Sequence, residues 1–402
     1  MNKPFKKLLK FISIIVFIAA IYLAGFAIGH RNIEFEKNFI PKIINTELGK
    51  PSDVDFSLFW DAYDVIKGRF FGFENVKVQN IVYGAISGML DSLGDAHTIF
   101  MTKEEAKQFG EDLSGKFDGI GAEIEAQNGY LVIVAPLVGS PAEKAGLEPK
   151  DIIVKIDGND VSNMTFSEAI NKIRGKKGSI VTLTIVRAGL DAAKEVQVKR
   201  DTIVVKSVQY EMKDDIAYIK LNQFGDDTLD LFNEGIDFAV RKNAKGVIVD
   251  LRNNPGGYLQ DAVDAVNIFI DKGKVVVIER GREGTESTST TRSTPKFKDK
   301  PIVVLVNKGS ASSSEIFAGA IQDYKRGKIV GEKTYGKGSV QTLEELKDGS
   351  KIKVTIAEWL TPNKRQIDKK GIEPDVAVSL SKEDKDAGKD PQLDKAMEEV
   401  KK

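Results

Sequence analysis

The chain has 402 residues, long enough for about two or three domains with substantial cores. Its 59 Lys and Arg balance its 59 Asp and Glu, so no global field favours a polyanion, and no nucleic-acid-binding motif is present. Cysteine is absent, which excludes thiol nucleophiles, thiolate metal sites and disulfides and is compatible with an exported or a cytosolic protein.

At the start of the chain, Lys3, Lys6, Lys7 and Lys10 precede an uncharged apolar run over residues 11–29. At helical rise that run is long enough to cross a bilayer. The positive flank predicts a cytoplasmic amino terminus and an extracytoplasmic remainder beyond His30, with residues 1–30 as an uncleaved single-pass membrane anchor. The alternative is a cleavable signal peptide and a secreted protein. Residues 31–52 read as a linker or stalk.

Residues 53–112 turn helical: Phe56, Phe59, Trp60, Tyr63 and Ile66 share one stripe, and Ile81, Ala85, Met89 and Leu90 share another. Leu93-Gly94-Asp95-Ala96-His97-Thr98 closes the second helix. His97 is the only plausible imidazole for a Ser-His-Asp triad, and a structural turn role is the plainer reading.

Residues 113–205 form a compact module. Gly119-Ile120-Gly121-Ala122-Glu123-Ile124 leads into a strand, a second strand follows over 131–134, and Gly139-Ser140-Pro141-Ala142 opens a short helix. A hairpin arm over 151–158 and a longer helix over 166–174 complete it. In this order the segments resemble a PDZ domain. The resemblance implies that Gly119, Ile120, Gly121 and Ala122 form the loop that captures a terminal carboxylate. Small residues suit that role, because successive backbone N–H groups must turn toward one anion while a peptide adds as a strand beside them.

Between 206 and 380 strands and helices alternate: strand 216–221, helix 229–241, buried strand 246–251, helix 259–270 and strand 275–278. Consecutive βα units imply right-handed crossovers and a sheet covered on both faces. Strand 246–251 runs into Arg252-Asn253-Asn254-Pro255-Gly256-Gly257 at its carboxyl end, where open α/β sheets place their ligands. A plain tight turn is the competing reading. Residues 281–300, rich in Ser, Thr and charge, predict an exposed hairpin or loop.

Strand 302–306 then breaks into a serine cluster and a helix with Ile316, Phe317, Ala320, Ile321 and Tyr324 on one face. A strand-to-helix elbow can set an exposed hydroxyl beside unpaired backbone N–H groups. The same residues suit a helix cap, with Ser312 and Glu315 spaced as a capping box. After strand 328–331 comes Thr334-Tyr335-Gly336-Lys337-Gly338-Ser339-Val340-Gln341. A lysine held off solvent there would lose its charge and become a general base; a simple turn is the bland alternative. Residues 331–337 also match the start of a phosphate-binding loop, but Gly338 stands where the magnesium-binding hydroxyl is needed. Chemistry alone leaves Ser310, Ser312, Ser313 and Ser314 open as the reactive hydroxyl.

Ser310-Ala311-Ser312-Ser313-Ser314-Glu315-Ile316-Phe317-Ala318-Gly319, followed by Val330-Gly331-Glu332-Lys333-Thr334-Tyr335-Gly336-Lys337-Gly338-Ser339-Val340-Gln341, resembles the signature of the carboxyl-terminal processing peptidases, or tail-specific proteases. The resemblance spans about residues 53–378, including the Gly-Asp-x-x-Thr turn, Thr361-Pro362 and the Gly371-Ile372-Glu373-Pro374-Asp375 segment; Asn363-Lys364-Arg365 departs from the glycine-containing turn common there. It implies Ser312 as nucleophile, Lys337 as base and Gln341 as the group that orients the amine. It further implies an oxyanion hole from Gly256 or Gly257 with Ser313, where Ser313 replaces a frequent alanine. The implied architecture is multidomain α/β: membrane anchor (1–30), linker (31–52), helical region (53–112), PDZ domain (113–205), a ClpP/crotonase-like peptidase core (206–380) and a charged tail (381–402). The implied function is a membrane-anchored serine endopeptidase acting on substrates with accessible carboxyl termini, without cofactor or metal, and pairing as a homodimer through its ends. A tail-binding adaptor without activity, a phosphate-loop nucleotidase and a Ser-His hydrolase using His97 are the rivals.

Overall fold

The computed structural model describes residues 3–29, 33–35, 41–43, 56–127, 130–137, 139–381, 383–384 and 387–402. The chain divides into two units, 1–78 and 79–402. Most of the stalk expected over 31–52 lies outside the described residues, as does His30.

In the first unit a helix, Lys3–Gly29, takes in all four amino-terminal lysines. Among the described residues no helix is long and apolar enough to cross a membrane. The anchor expected over 1–30, and with it the single-pass placement, is therefore corrected: the lysines enter the helix itself, and its apolar remainder does not supply a span. A secreted chain is compatible with this finding. A short antiparallel pair, Ile33–Phe35 with Pro41–Ile43, precedes helix Ser57–Arg69. There Phe56, Phe59, Trp60 and Tyr63 stack edge to face, at centroid distances of 5.0 to 6.3 Å.

The second unit holds three sheets that matter to function. Five antiparallel strands run in the spatial order Lys194–Lys199, Ile180–Val186, Ile152–Ile156, Tyr130–Pro136, Ala122–Gln127. Their alternate apolar residues, among them Ile133, Ile153, Leu183 and Ile185, are fully buried, as period-two side-chain alternation demands. Helix Phe166–Ile173 packs on this core; Thr165 caps it, with Glu168 completing the reciprocal box.

The largest core surrounds a six-stranded sheet ordered Val208–Lys213, Ile216–Leu221, Gly246–Asp250, Ile302–Val306, Lys328–Gly331, Val376–Ala377. All neighbours but the first pair are parallel. Strands Gly246–Asp250 and Ile302–Val306 are buried at every position, which explains why each reads as an unbroken apolar run. Helices Thr228–Arg241, Leu259–Val266 and Ser313–Asp323 cover the sheet, with Phe232, Phe269 and Phe317 meeting edge to face between them. On another face, Ala396 and Val400 at the carboxyl-terminal helix Pro391–Glu399 bury against Ile216, Ile248 and Val303.

A third sheet carries Glu286–Thr290, Val275–Gly281, Lys351–Leu360 and Ser339–Glu345 in that order. Strand Ile99–Met101, inside the region expected to be helical, adds to Lys351–Leu360. The segment expected as an exposed hairpin over 281–300 folds in part as the Val275–Gly281/Glu286–Thr290 pair.

Candidate active site

Buried strands Gly246–Asp250 and Ile302–Val306 lie side by side and parallel, so their carboxyl ends deliver two turns to one edge. The first is Asn253–Gly257. Asn254, fully buried, accepts the Gly256 N–H on its side-chain oxygen at 2.9 Å and donates its amide to Leu221 O at 3.0 Å. The turn is thus latched to the neighbouring strand. Gly256 has φ +102°, and a Cβ there would sit 2.6 Å from Ser312 Cβ and 3.0 Å from Ser313 N. Only glycine permits that approach.

The second turn is the serine elbow. Ser312 precedes helix Ser313–Asp323 with φ 56° and ψ −118°, a left-handed strain expected of a residue held for a purpose. Its neighbours are occupied. The Ser310 hydroxyl donates to Leu251 O at 2.7 Å, that of Ser313 to Gly257 O at 3.0 Å, and that of Ser314 to Asn254 O at 3.0 Å. Those three hydroxyls stitch the elbow to the glycine turn. Ser312 alone of the four faces a cavity of about 510 Å3, whose walls also include Gly256, Gly257, Lys337 and Gln341.

Lys337 reaches this cavity from the loop after strand Lys328–Gly331. Its amine is pushed below the ordinary lysine range by burial, against the opposing pull of the Glu315 carboxylate. The following Gly338 has no room for a side chain: a Cβ would lie 2.1 Å from Asp368 N. The loop leads into strand Ser339–Glu345 and not into a helix, which removes the phosphate-loop reading, since such a loop needs a helix amino terminus behind it.

Glu315 ties the two halves together. It is fully buried, and one oxygen accepts from the Thr334 hydroxyl at 2.5 Å and the Gly336 N–H at 2.7 Å, while the other accepts from the N–H groups of Ser312 and Lys337, each at 2.9 Å. Burial pushes its carboxyl upward, and the four donors oppose that shift. The capping residue expected from sequence is present, but its carboxylate also holds the lysine loop.

Other cavity walls come from distant segments. Phe109 and Leu113 enter from helix Lys103–Ser114, and Trp359, Glu279 and Lys353 from the third sheet. Burial raises Glu279. Lys353 lies over the Phe109 ring at 5.5 Å and is pushed down by burial and by the nearby Lys337 charge. The Gln341 amide nitrogen donates to Ser339 Oγ at 2.7 Å and Thr355 Oγ1 at 3.3 Å. His97 lines a different cavity.

A second recess, of about 240 Å3, lies on the smaller sheet. Gly119, Ile120, Gly121 and Ala122 line it together with Phe166 and Ile170 of helix Phe166–Ile173. The carbonyls of Ile120 and Gly121 face inward, accepting from Ala142 N and Leu137 N, while the N–H groups of both residues have no partner among the described residues.

The family model for peptidase family S41 matches residues 215–378, that for the PDZ domain 132–187, and that for the activating protease CtpB N-terminal domain 26–105. A CtpA-like serine protease of Staphylococcus aureus strain MRSA252 is 41% identical over 337 residues, covering 83% of this chain and 67% of its own. The chain belongs to peptidase family S41, among the CtpA-like serine proteases. The S41 chain spans less of a second relative, the CtpA-like serine protease of Staphylococcus epidermidis strain RP62A: 45% identity over 303 residues, 75% of this chain and 61% of that one. Among solved structures, a photosystem II D1 C-terminal processing protease is similar with a TM-score of 0.52 and 29% identity, over 80% of this chain and 87% of that one.

Of the residues singled out from sequence, this S41 chain brings Ser312, Lys337, Gln341, Gly256 and Gly257 to one cavity, places Ser313 directly behind it, and gathers Gly119 to Ala122 in the other recess. Sequence reading missed the second role of Glu315, the latch at Asn254 and the third-sheet walls. The Asn254 side chain stands within the Asn253–Gly257 turn, so an Asx reading of that turn was the available signal; no local pattern marks the others.

Proposed function

We propose that this chain is a serine endopeptidase of the carboxyl-terminal processing type, with Ser312 as nucleophile, Lys337 as general base and Gln341 as the lysine's support. One observation carries the reading: three of four serine hydroxyls are committed to backbone carbonyls, while Ser312 shares its cavity with a lysine whose amine burial pushes below the ordinary lysine range. Neutral Lys337 takes the Ser312 proton as the oxygen attacks the scissile carbonyl, then gives it to the leaving amine; water, deprotonated by the same lysine, clears the acyl-enzyme. The N–H of Gly256 is already given to Asn254. That supports the N–H groups of Gly257 and Ser313 as the oxyanion donors, a pair that lowers the barrier because it is aimed before charge develops.

The recess beside Gly119, Ile120, Gly121 and Ala122 supports capture of a substrate's carboxyl terminus. Two backbone N–H groups at its end have no partner among the described residues, and apolar Phe166 and Ile170 flank it. Substrates are accordingly proteins or peptides with an accessible carboxyl terminus.

Casein digestion tests the reading. Wild type and His97→Ala are expected to cleave, whereas Ser312→Ala and Lys337→Ala are not. Cleavage by none of the four would instead leave a tail-binding adaptor, and loss in a folded His97→Ala while Lys337→Ala still cleaves would point to Ser-His chemistry.

A further inference from the structure

The sequence singled out the turn Gly94-Asp95-Ala96-His97-Thr98, yet none of its residues lines the Ser312 cavity. What it touches lies one layer behind. The Asp95 carboxylate accepts the Thr98 hydroxyl at 2.7 Å on one oxygen and the His97 N–H at 3.1 Å on the other. Thr98, only 3% exposed, in turn accepts the N–H of Thr355 at 3.1 Å. The Thr355 hydroxyl accepts the Gln341 amide nitrogen at 3.3 Å. Sheet register enforces the meeting. Gln341 and Thr355 are directly opposed partners, and Ile99, next to Thr98, pairs with Lys353 on the same strand.

Donor and acceptor counting gives this chain a direction. An ionised carboxylate only accepts, so the Thr98 hydroxyl donates to Asp95 and its oxygen lone pairs are left to take the Thr355 N–H. Burial works against the Asp95 charge, but the hydrogen bonds it accepts, from the Thr98 hydroxyl and the His97 N–H among them, outweigh that and hold the group at about 2. Thr355, held by its N–H on Thr98, takes one hydrogen of the Gln341 amide on Oγ1 at 3.3 Å; Ser339 Oγ takes the other at 2.7 Å. The two ends of an amide are nearly identical in shape, and only such a network decides which way it points. With both N–H groups held on this side, the amide oxygen turns to the cavity that Gln341 shares with Lys337.

We propose that the Asp95–Thr98 turn is a positioning device for catalysis, fixing Gln341 through Thr355 so that its amide oxygen faces the Lys337 amine. The inference rests on the reading that Gln341 supports Lys337. Asp95, Thr98 and Thr355 touch no reacting atom; they set an orientation.

The test uses the full chain, a quenched-fluorescence peptide for kcat and KM, and urea unfolding for stability. Thr355→Val keeps the shape and loses the hydroxyl; kcat falls about 10- to 100-fold, the scale of a misplaced catalytic group, with KM within about twofold. Thr355→Ser, which keeps the hydroxyl, restores most of kcat. Asp95→Asn, nearly isosteric, lowers kcat in the same way and serves if Thr355→Val does not fold. The deciding measurement is the double variant: in a Gln341→Ala background, Thr355→Val or Asp95→Asn costs no further kcat, as expected of groups acting through one side chain. A purely structural role moves the unfolding midpoint without that non-additivity. The proposal is overturned if kcat is unchanged in Thr355→Val and Asp95→Asn, or if their losses add in full to that of Gln341→Ala. Undiminished kcat in Gln341→Ala overturns it together with the lysine-support reading, whereas a loss there with full additivity overturns the positioning alone.

Discussion

Replacing Glu315 by Gln probes the clasp between the two catalytic segments. The carboxylate accepts four donors, two on each oxygen, from Thr334, Gly336, Ser312 and Lys337. An amide of the same shape offers one accepting oxygen, so its NH2 group confronts two of those donors. Each buried donor left without an acceptor costs about 1–3 kcal/mol. If the amide faces Ser312 and Lys337, two backbone donors are orphaned, a loss of about 2–6 kcal/mol. If it faces Thr334 and Gly336, the threonine hydroxyl must also find a new acceptor, so the range is similar. Against a total stability of about 5–15 kcal/mol, Glu315→Gln is expected to lower the urea midpoint substantially while leaving the m-value unchanged. Because the orphaned groups carry the elbow and the lysine, kcat should fall further than KM changes. A variant within about 0.5 kcal/mol of wild type, with full kcat, would refute the clasp.

The same geometry sets three further expectations. For Lys337, burial lowers the amine's pKa and the neutral form is the base, so kcat/KM rises with pH and levels off below the ordinary lysine value of about 10.4; a rate flat from about pH 6 to 10 contradicts this. Gly256→Ala pushes a methyl to within 2.6 Å of Ser312 Cβ, and kcat should drop on the order of 10²-fold, as for a lost oxyanion donor; unchanged kcat would show that the two turns need not touch. Gly121 has φ +71°, and a Cβ there would lie 2.7 Å from Ser140 Cβ. Gly121→Ala should therefore raise KM about tenfold for a peptide with a free carboxyl terminus and not for its amidated form; equal effects on both would exclude carboxylate capture.

Much of the core was legible because its strands are self-announcing. The runs at Ile302–Val306 and Lys328–Gly331 have the bounds expected from sequence, since strands buried within a parallel sheet read as near-continuous apolar runs, here Ile302–Val306 throughout and Ile329–Gly331 after an exposed Lys328. The amino terminus was misread because hydropathy counted the apolar residues after Lys10, while the helix includes the lysines themselves. Strand Ile99–Met101 escaped notice for another reason: three residues carry no period, and its partner at Lys351–Leu360 lies some 250 positions away in sequence. The serine ambiguity shows the same limit. Four adjacent hydroxyls look alike in a sequence, and only the carbonyls of Leu251, Gly257 and Asn254 single out which three are occupied. Glu315 was visible as a cap, but not as the acceptor for Thr334 and Gly336, because that contact depends on two parallel strands closing about 20 residues of chain.

The most direct test of the Ser312–Lys337 pairing is acyl-enzyme trapping. Mass spectrometry after brief exposure to an activated ester should find the acyl group on the peptide carrying Ser312, forming about 10²- to 10⁴-fold more slowly in Lys337→Ala, the range a general base supplies. An adduct on Ser310, Ser313 or Ser314, or an unchanged rate without the lysine, would contradict the account.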